Sequence, residues 1–120
     1  MKAEVRISQG FKRLAKPLLK KYSSLEGELK ALEIELSDNP KLGKSLGKDS
    51  YKIRLAVKSK GKGKSGGLRV ITHLDTEIVV IYEEINKVTV VILLAIYDKN
   101  ETATISDKEL NVLIEKLRQE

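Results

Sequence analysis

Ten consecutive and almost entirely apolar residues, Val88 to Tyr97, constrain the fold of this 120-residue chain more than any other segment. The run is rich in β-branched side chains and carries no charge, which is typical of a strand covered on both faces. It is also well short of the roughly 20 apolar residues that a membrane-spanning helix needs. The sequence therefore predicts a central strand with a packed layer on either side.

Helical and strand periodicities on both sides of this run supply the layers. Lys2 to Ile7 alternates between polar and apolar residues, which predicts a short edge strand. Apolar residues at helical spacing predict a helix from about Ser8 to Tyr22, bent by Pro17. A capping-box pattern at residues 23–26 starts a second helix that stops before Asn39-Pro40, and a second such pattern, Ser106 to Glu109, starts a closing helix.

The middle of the chain reads as strands joined by loops. Gly43 and Gly47 indicate a loop, and Tyr51 to Val57 then alternates with the basic residues Lys52, Arg54 and Lys58. Four glycines between Lys58 and Arg69 indicate a further loop. Strand character returns over residues 68–74 and 78–82, with a turn expected at residues 85–87. The fold class is α+β: one domain, residues 1–120, with an N-terminal strand and a helical hairpin packed on a small antiparallel sheet, closed by a C-terminal helix.

Positive charge is concentrated in the middle third of the chain. The formal net charge is +6, yet residues 41–69 hold ten basic residues against one acidic residue, Asp49. This window therefore carries +9, and the remainder of the chain sums to −3. A polyanion such as RNA or DNA is attracted to this region.

Several classes of chemistry are excluded or disfavoured by composition. The chain has no cysteine and one histidine, so thiolate catalysis is excluded and we expect neither a metal site nor a cofactor. Gly63-Lys64-Ser65 resembles the end of a phosphate-binding loop, but Lys58 stands where that motif needs glycine and no helix follows. His73 receives no chemical role. Without a leader or a spanning segment, the expected location is the cytoplasm, with no membrane partner.

The basic glycine-rich loop has two interpretations. A loop of this composition between strands can be a solvated hairpin tip, or its lysines can contact a ligand. The neighbouring strand favours the second interpretation, because Lys52, Arg54 and Lys58 share one face and clustered cations repel each other unless an anion lies between them. Tyr97, Asp98 and Lys99 add polar groups at the end of the most apolar strand, where functional sites often lie.

Three segments together resemble a known family. They are Tyr51-Lys52-Ile53-Arg54, the stretch from Gly63 to Ile71, and the stretch from Leu94 to Glu101, preceded by a basic helical hairpin. The order and content are similar to those of the RelE/ParE superfamily of type II toxin-antitoxin toxins, and most similar to the HigB-like branch of RelE. The resemblance covers nearly the whole chain and implies a RelE-like fold.

The resemblance implies a toxin that cleaves messenger RNA in the ribosomal A site, inhibits translation and is neutralised by a cognate antitoxin. Arg69 matches the arginine that contacts the scissile phosphate, and Lys99 lies where RelE proteins often have an arginine. Lys64, Tyr97 and Asp98 are the other candidate catalytic residues. The RNA-binding candidates are Lys52, Arg54, Lys58, Lys60 and Lys62.

Two other functions remain open at this stage. A ParE-like inhibitor of DNA gyrase shares the fold and acts by binding a protein, and a non-catalytic nucleic-acid-binding domain would use the same lysines to neutralise phosphates. The basic strand face, with Arg69 and Lys99, favours the nuclease. An antitoxin could cover the sheet or displace the closing helix, whose apolar residues are Leu110, Leu113, Ile114 and Leu117.

Overall fold

The computed structural model describes residues 2–61, 63, 66–99 and 105–120. The helices are α1 (Gln9–Lys21), α2 (Leu25–Asp38) and α3 (Asp107–Arg118). The strands are β1 (Glu4–Ile7), β2 (Lys44–Gly47), β3 (Ser50–Leu55), β4 (Leu68–Ile81) and β5 (Glu84–Asp98). The predicted α+β class, with its helical hairpin and closing helix, is confirmed.

The five described strands form one mixed sheet in the order β1-β5-β4-β3-β2. Strands β2 to β5 are antiparallel neighbours, whereas β1 runs parallel to β5 at the edge of the sheet. The expected edge position of β1 is confirmed, and the expectation of a purely antiparallel sheet is corrected. The two helices carry the chain from β1 at one edge of the sheet to β2 at the other edge. Strands β2 to β5 then bring it back, so that β5 lies beside β1 and runs in the same direction.

Strand β5 has packed layers on both faces, as its unbroken apolar sequence predicts. Val91, Leu93 and Ile96 contribute to the core beneath α1 and α2. Val90, Ile92, Leu94 and Ala95 contribute to a second core beneath α3, together with Ile71, Leu110 and Ile114. The two faces are called the hairpin face and the α3 face below.

The helix starts follow the side chains that cap them. Ser8 Oγ accepts a hydrogen bond from the Phe11 amide at 3.0 Å and begins α1. Ser106 and Glu109 form the predicted capping box of α3. The capping box predicted for α2 is wrong, because Ser24 has helical backbone angles and its side chain makes no cap bond. Its hydroxyl instead contacts Ser59 Oγ at 2.8 Å, in the segment that follows β3.

Two further expectations are corrected by the strand pairing. The loop expected at Gly43 to Gly47 contains β2, a short strand that pairs with the start of β3. The turn expected at residues 85–87 lies instead at Tyr82 and Glu83, and β4 is continuous through residues 75–77. Tyr82 and Glu83 have φ angles of 52° and 66°, which residues other than glycine and asparagine rarely adopt. Neither glycine nor asparagine stands at the turn, so the sequence carries no signal for it.

Candidate nucleic-acid interface

A basic patch lies on the α3 face of the sheet, where β2, β3 and β4 run side by side. Arg54 pairs with Arg69 across β3 and β4, and Lys44 pairs with Lys52 across β2 and β3. Directly paired residues of antiparallel strands point to the same face, and residues two apart on one strand do so as well. Lys44, Lys52, Arg54 and Arg69 therefore share a face, which we call the basic face.

Lys52 is the centre of this charge. Its pKa is lowered from the ordinary lysine value, first by burial and then by the positive charges of Lys44, Arg69, Arg54 and Lys99. Lys99, in the turn directly after β5, is thus near enough to act on the same ammonium group. Crowded cations favour the neutral amine, which makes a lysine a better proton acceptor near neutral pH.

Arg69 differs from its neighbours in being buried. Its relative exposure is 3%, and its guanidinium donates a hydrogen bond to the Leu68 carbonyl at 3.3 Å. Arg54 and Lys99 are exposed and Lys52 is half-buried. The basic face therefore has an accessible outer layer of cations with the charge of Arg69 fixed beneath it.

Tyr97 pairs with Arg69 across β4 and β5 and closes the basic face on the side of α3. Burial raises the pKa of the Tyr97 hydroxyl, against the lowering effects of the Ile105 backbone and the Arg69 charge. The hydroxyl is consequently protonated at neutral pH. It can donate a proton or a hydrogen bond, but it cannot act as a base.

Asp98 and Lys60 lie on the opposite side of the sheet. Asp98 follows Tyr97 on β5 and so points to the hairpin face, where its carboxylate accepts a hydrogen bond from the Tyr22 hydroxyl at 3.3 Å. Lys60 Nζ is 3.4 Å from the same carboxylate oxygen and donates to the Gly66 carbonyl at 2.6 Å. Both charged side chains are over nine-tenths buried, which makes them an internal clamp for the loop and not a part of the basic face.

The loop after β3 is fixed at both ends. On the near side, the backbone amides of Lys58 and Ser59 donate to Glu28 Oε2 at 2.7 Å and to Ser24 Oγ at 3.0 Å. On the far side, a Cβ atom at Gly67 would lie 2.0 Å from the Leu55 carbonyl oxygen, so only glycine fits. These contacts hold the start of the loop against α2 and its end against β3.

The structure brings together four predicted site residues, Lys52, Arg54, Arg69 and Lys99, with Tyr97 beside them. Lys58 is exposed at the start of the loop, while Lys60 and Asp98 are paired with each other elsewhere. Lys62 and Lys64 lie outside the described residues. Sequence reasoning missed Lys44, because β2 was expected to be loop; the only local signal is the alternation of Lys44, Ser45 and Leu46 after Gly43.

Helix α3 stands beside the basic face and covers the second core. Leu110 and Ile114 are buried, and the helix is further held by a contact of Lys48 Nζ with Asn111 Oδ1 and by the Gln9 amide donating to Glu120 Oε1 at 2.8 Å. A groove of about 430 Å³ is lined by Tyr97, by α3 and by Leu14 of α1, mainly through apolar side chains. A single helix, α3, thus borders the basic face on one side.

Two structural features, a metal-ligand cluster and a membrane-spanning helix, are absent from the part of the chain that the structure describes. No three histidine or acidic side chains there are grouped so that they could hold a metal ion. No helix among those residues has the length and apolar character needed to cross a bilayer.

Comparison with solved structures identifies the fold. The E. coli toxin RelE, in a double arginine-to-alanine mutant form in the free state, superposes with a TM-score of 0.53 at 20% sequence identity. The match covers 98% of this chain and 99% of that chain. No protein-family model matches the sequence, and no curated protein sequence does. The protein therefore has a RelE-like fold, which confirms the fold expected from the resemblance.

Proposed function

We propose that this protein is a ribosome-dependent endoribonuclease, the toxin of a type II toxin-antitoxin module, and that the basic face is its active site. The observation that carries the proposal is the environment of Lys52, a half-buried lysine whose pKa is lowered first by burial and then by four surrounding cations on the same face. A surface that contacts only solvent gains nothing from clustered cations. A site for a reacting phosphodiester is stabilised by them, because the negative charge of the phosphate increases in the transition state.

RNA supplies its own nucleophile, so the protein needs only proton transfer and charge stabilisation. In the proposed step, the neutral amine of Lys52 accepts the proton of the ribose 2′-hydroxyl as that oxygen bonds to the adjacent phosphorus. The bond from phosphorus to the 5′-oxygen breaks, and the ammonium of Lys99 donates a proton to the departing oxygen. The products are a 2′,3′-cyclic phosphate and a free 5′-hydroxyl.

The arginines stabilise the phosphate during this step. Arg54 is exposed and can bind two phosphate oxygens through its planar guanidinium. Arg69, buried next to Arg54 on the same face, contributes a fixed positive charge to the phosphate site. Tyr97, which remains protonated, serves as a hydrogen-bond donor or a surface for base stacking. Lys44, Lys58, Lys62 and Lys64 bind the flanking phosphates.

A cognate antitoxin would silence this site by covering the basic face or by displacing α3. The helix is suited to displacement because, among the described residues, it is held by one apolar stripe, by a polar contact at Asn111 and by one just past its end at Glu120. Hydrogen exchange on a toxin-antitoxin complex tests this. Protection of the basic face, or loss of protection in α3, supports it, and a complex in which both regions exchange as in the free protein contradicts it.

Induced expression in a bacterium without the antitoxin tests the nuclease. We expect growth arrest and new messenger-RNA ends, mapped by primer extension, for the wild type and for the control Lys116→Ala, an exposed lysine of α3. Lys52→Met and Arg69→Ala should abolish both effects. Arrest with intact messages would instead indicate a protein target such as gyrase, and the absence of arrest would indicate a binding domain without catalysis.

A further inference from the structure

Strands β4 and β5 extend beyond the rest of the sheet as a two-stranded ribbon, residues 75–89. The pairing of β3 with β4 ends at Ser50–His73, and the pairing of β1 with β5 begins at Glu4–Val90. From there to the turn, β4 and β5 pair only with each other. The ribbon accounts for part of the elongated shape, 50 × 30 × 23 Å. Isolated two-stranded ribbons are marginally stable in water, so this one is an unusual feature.

The hairpin face of the ribbon carries an exposed apolar cluster near its tip, with Lys87 next to Ile78 and threonines towards the base. Val80 and Ile85 are direct cross-strand partners, and Ile78 lies two residues from Val80 on the same face. Their relative exposures are 68%, 77% and 70%. Tyr82 at the tip is 95% exposed. A contiguous group of exposed β-branched side chains marks an interaction surface, because leaving it in water forfeits the free energy of burial.

The opposite face of the ribbon is acidic. Glu77 and Glu84 point to the α3 face, as does Asp75 at the base, and Glu83 lies in the turn. Lys87 is the only basic residue in the ribbon, so its net charge is −3 in a chain of net charge +6. Arg6 of β1 binds Glu77 at 2.9 Å and orients that carboxylate at the base of the ribbon. RNA is repelled by this surface, whereas a basic protein segment is attracted.

The outer edge of β5 is free to accept another strand. Ile81 and Glu84 flank the two-residue turn and form a hydrogen-bonded pair, so the amides of Ile85, Lys87 and Thr89 point outward. Outside the strand ladders, no backbone hydrogen bond among the described residues uses these three amides, and the pairing of β5 with β1 begins only at Val90. On the edge of β4, the outward amides of Leu74 and Thr76 are already bound, to the Asp49 carbonyl and to Asp75 Oδ1, both at 2.8 Å, which leaves only those of Ile78 and Val80 near the tip.

A second copy of the chain fits this surface poorly. One face of the ribbon is roughly 25 Å long and 10 Å wide, a few hundred Å², whereas a stable interface buries about 800 Å² on each partner. Two ribbons would also bring two sets of carboxylates together. Strand addition avoids both difficulties, because backbone hydrogen bonds supplement a small apolar contact.

We propose that the ribbon binds an extended segment of another protein, in which apolar residues alternate with lysine or arginine, as an added strand on the free edge of β5. The apolar side chains of that segment lie beside Ile85 on the hairpin face. Its cations lie beside Glu84 on the α3 face of β5. This surface is separate from the basic face and does not depend on the proposed nuclease activity.

The test uses the full chain, labelled with ¹⁵N, and the peptide acetyl-Val-Lys-Val-Lys-Val-Lys-Val-Lys-amide. We expect the amide signals of Ile85, Lys87 and Thr89 to shift and their hydrogen exchange to slow as the peptide is added. Ile85→Thr and Glu84→Lys should each weaken binding by about tenfold. The control Val112→Thr, an exposed valine of α3, should bind like the wild type.

Four results would overturn the proposal. They are the absence of any shift up to millimolar peptide, equal binding of the matched valine–glutamate peptide, shifts confined to the basic face, and a dimer in sedimentation velocity that Ile85→Thr abolishes. The last result would identify a second copy as the occupant. Circular dichroism of each variant separates a loss of binding from a loss of the fold.

Discussion

Arg54 and Arg69 are direct cross-strand partners on one face of the sheet, so two guanidinium groups share a single position of the β3–β4 ladder. Like charges in such a pair lower the stability of the fold. The arrangement is explained if a phosphate lies against it in the functional state. The effect of this pair on the stability of the fold can be measured without knowledge of the substrate.

Replacing Arg54 with glutamine should stabilise the fold and weaken RNA binding. Relief of the like-charge pair is worth ~0.5 kcal/mol, or a rise in Tm of about 2 °C in low salt, and the gain should shrink as salt screens the charges. The slope of RNA affinity against salt concentration should fall by about one phosphate contact. Arg13→Gln on the exposed surface of α1 is the control; equal changes in both variants would contradict a special role for Arg54.

The stability of the protein should depend on pH through Lys52. Its folded-state pKa lies below the unfolded value near 10.5, so the folded state disfavours the bound proton. The resulting destabilisation is fully present below the folded pKa and disappears as pH rises past the unfolded value. Lys52→Met should therefore gain stability over the wild type at pH 7 and lose that gain near pH 10, as measured by urea denaturation. A pH-independent difference would show that the pKa is not shifted.

The same residue predicts the pH profile of RNA cleavage. If neutral Lys52 is the base, the rate should rise with pH up to the lowered pKa of this lysine and then level off. Lys52→Arg keeps the charge but cannot lose its proton, so it should bind RNA and fail to cleave it. Cleavage by Lys52→Arg at the wild-type rate would assign the base elsewhere.

Breaking the clamp between Asp98 and Lys60 should destabilise the fold more than removing both charges. Asp98→Asn leaves the buried ammonium without its counter-ion and should cost about 3 kcal/mol. The double variant Asp98→Asn with Lys60→Met should recover part of that loss, because neither member of the pair is then charged. Urea denaturation of the single and double variants gives the coupling, and Lys58→Met, at an exposed position, is the control. Additive losses would mean that the two side chains do not interact.

Two glycines should respond in opposite directions to the same substitution. Gly67→Ala forces a methyl group into the Leu55 carbonyl and should cost at least ~2 kcal/mol while displacing the loop. Gly27→Ala places its methyl group in open space on α2 and should stabilise the helix by up to about 1 kcal/mol. Thermal unfolding compares the two, and a neutral Gly67→Ala would show that the close approach of β3 is not required.

Much of the fold follows from local patterns in the sequence. The apolar run of β5 predicted its two covered faces, helical spacing predicted α1 and α2, and Ser106 with Glu109 predicted the start of α3. These succeed because burial of one stripe or face is decided within a few residues. The position of the turn at Tyr82 and Glu83 was not predicted, because it does not depend on local residue type. The pairing of the two long strands, and not a turn-forming residue, imposes its left-handed backbone.

The candidate site was predicted only in part. Composition and strand alternation were enough to establish that residues 41–69 carry the excess positive charge and that Lys52 and Arg54 share one face of a strand. Lys44 and Lys99 join them only through the pairing of strands in the folded protein, which also buries Lys60 and Asp98 together on the other face. The reason is that electrostatic interactions depend on distances of a few ångströms between side chains, and these distances are set by the register of strands far apart in the sequence.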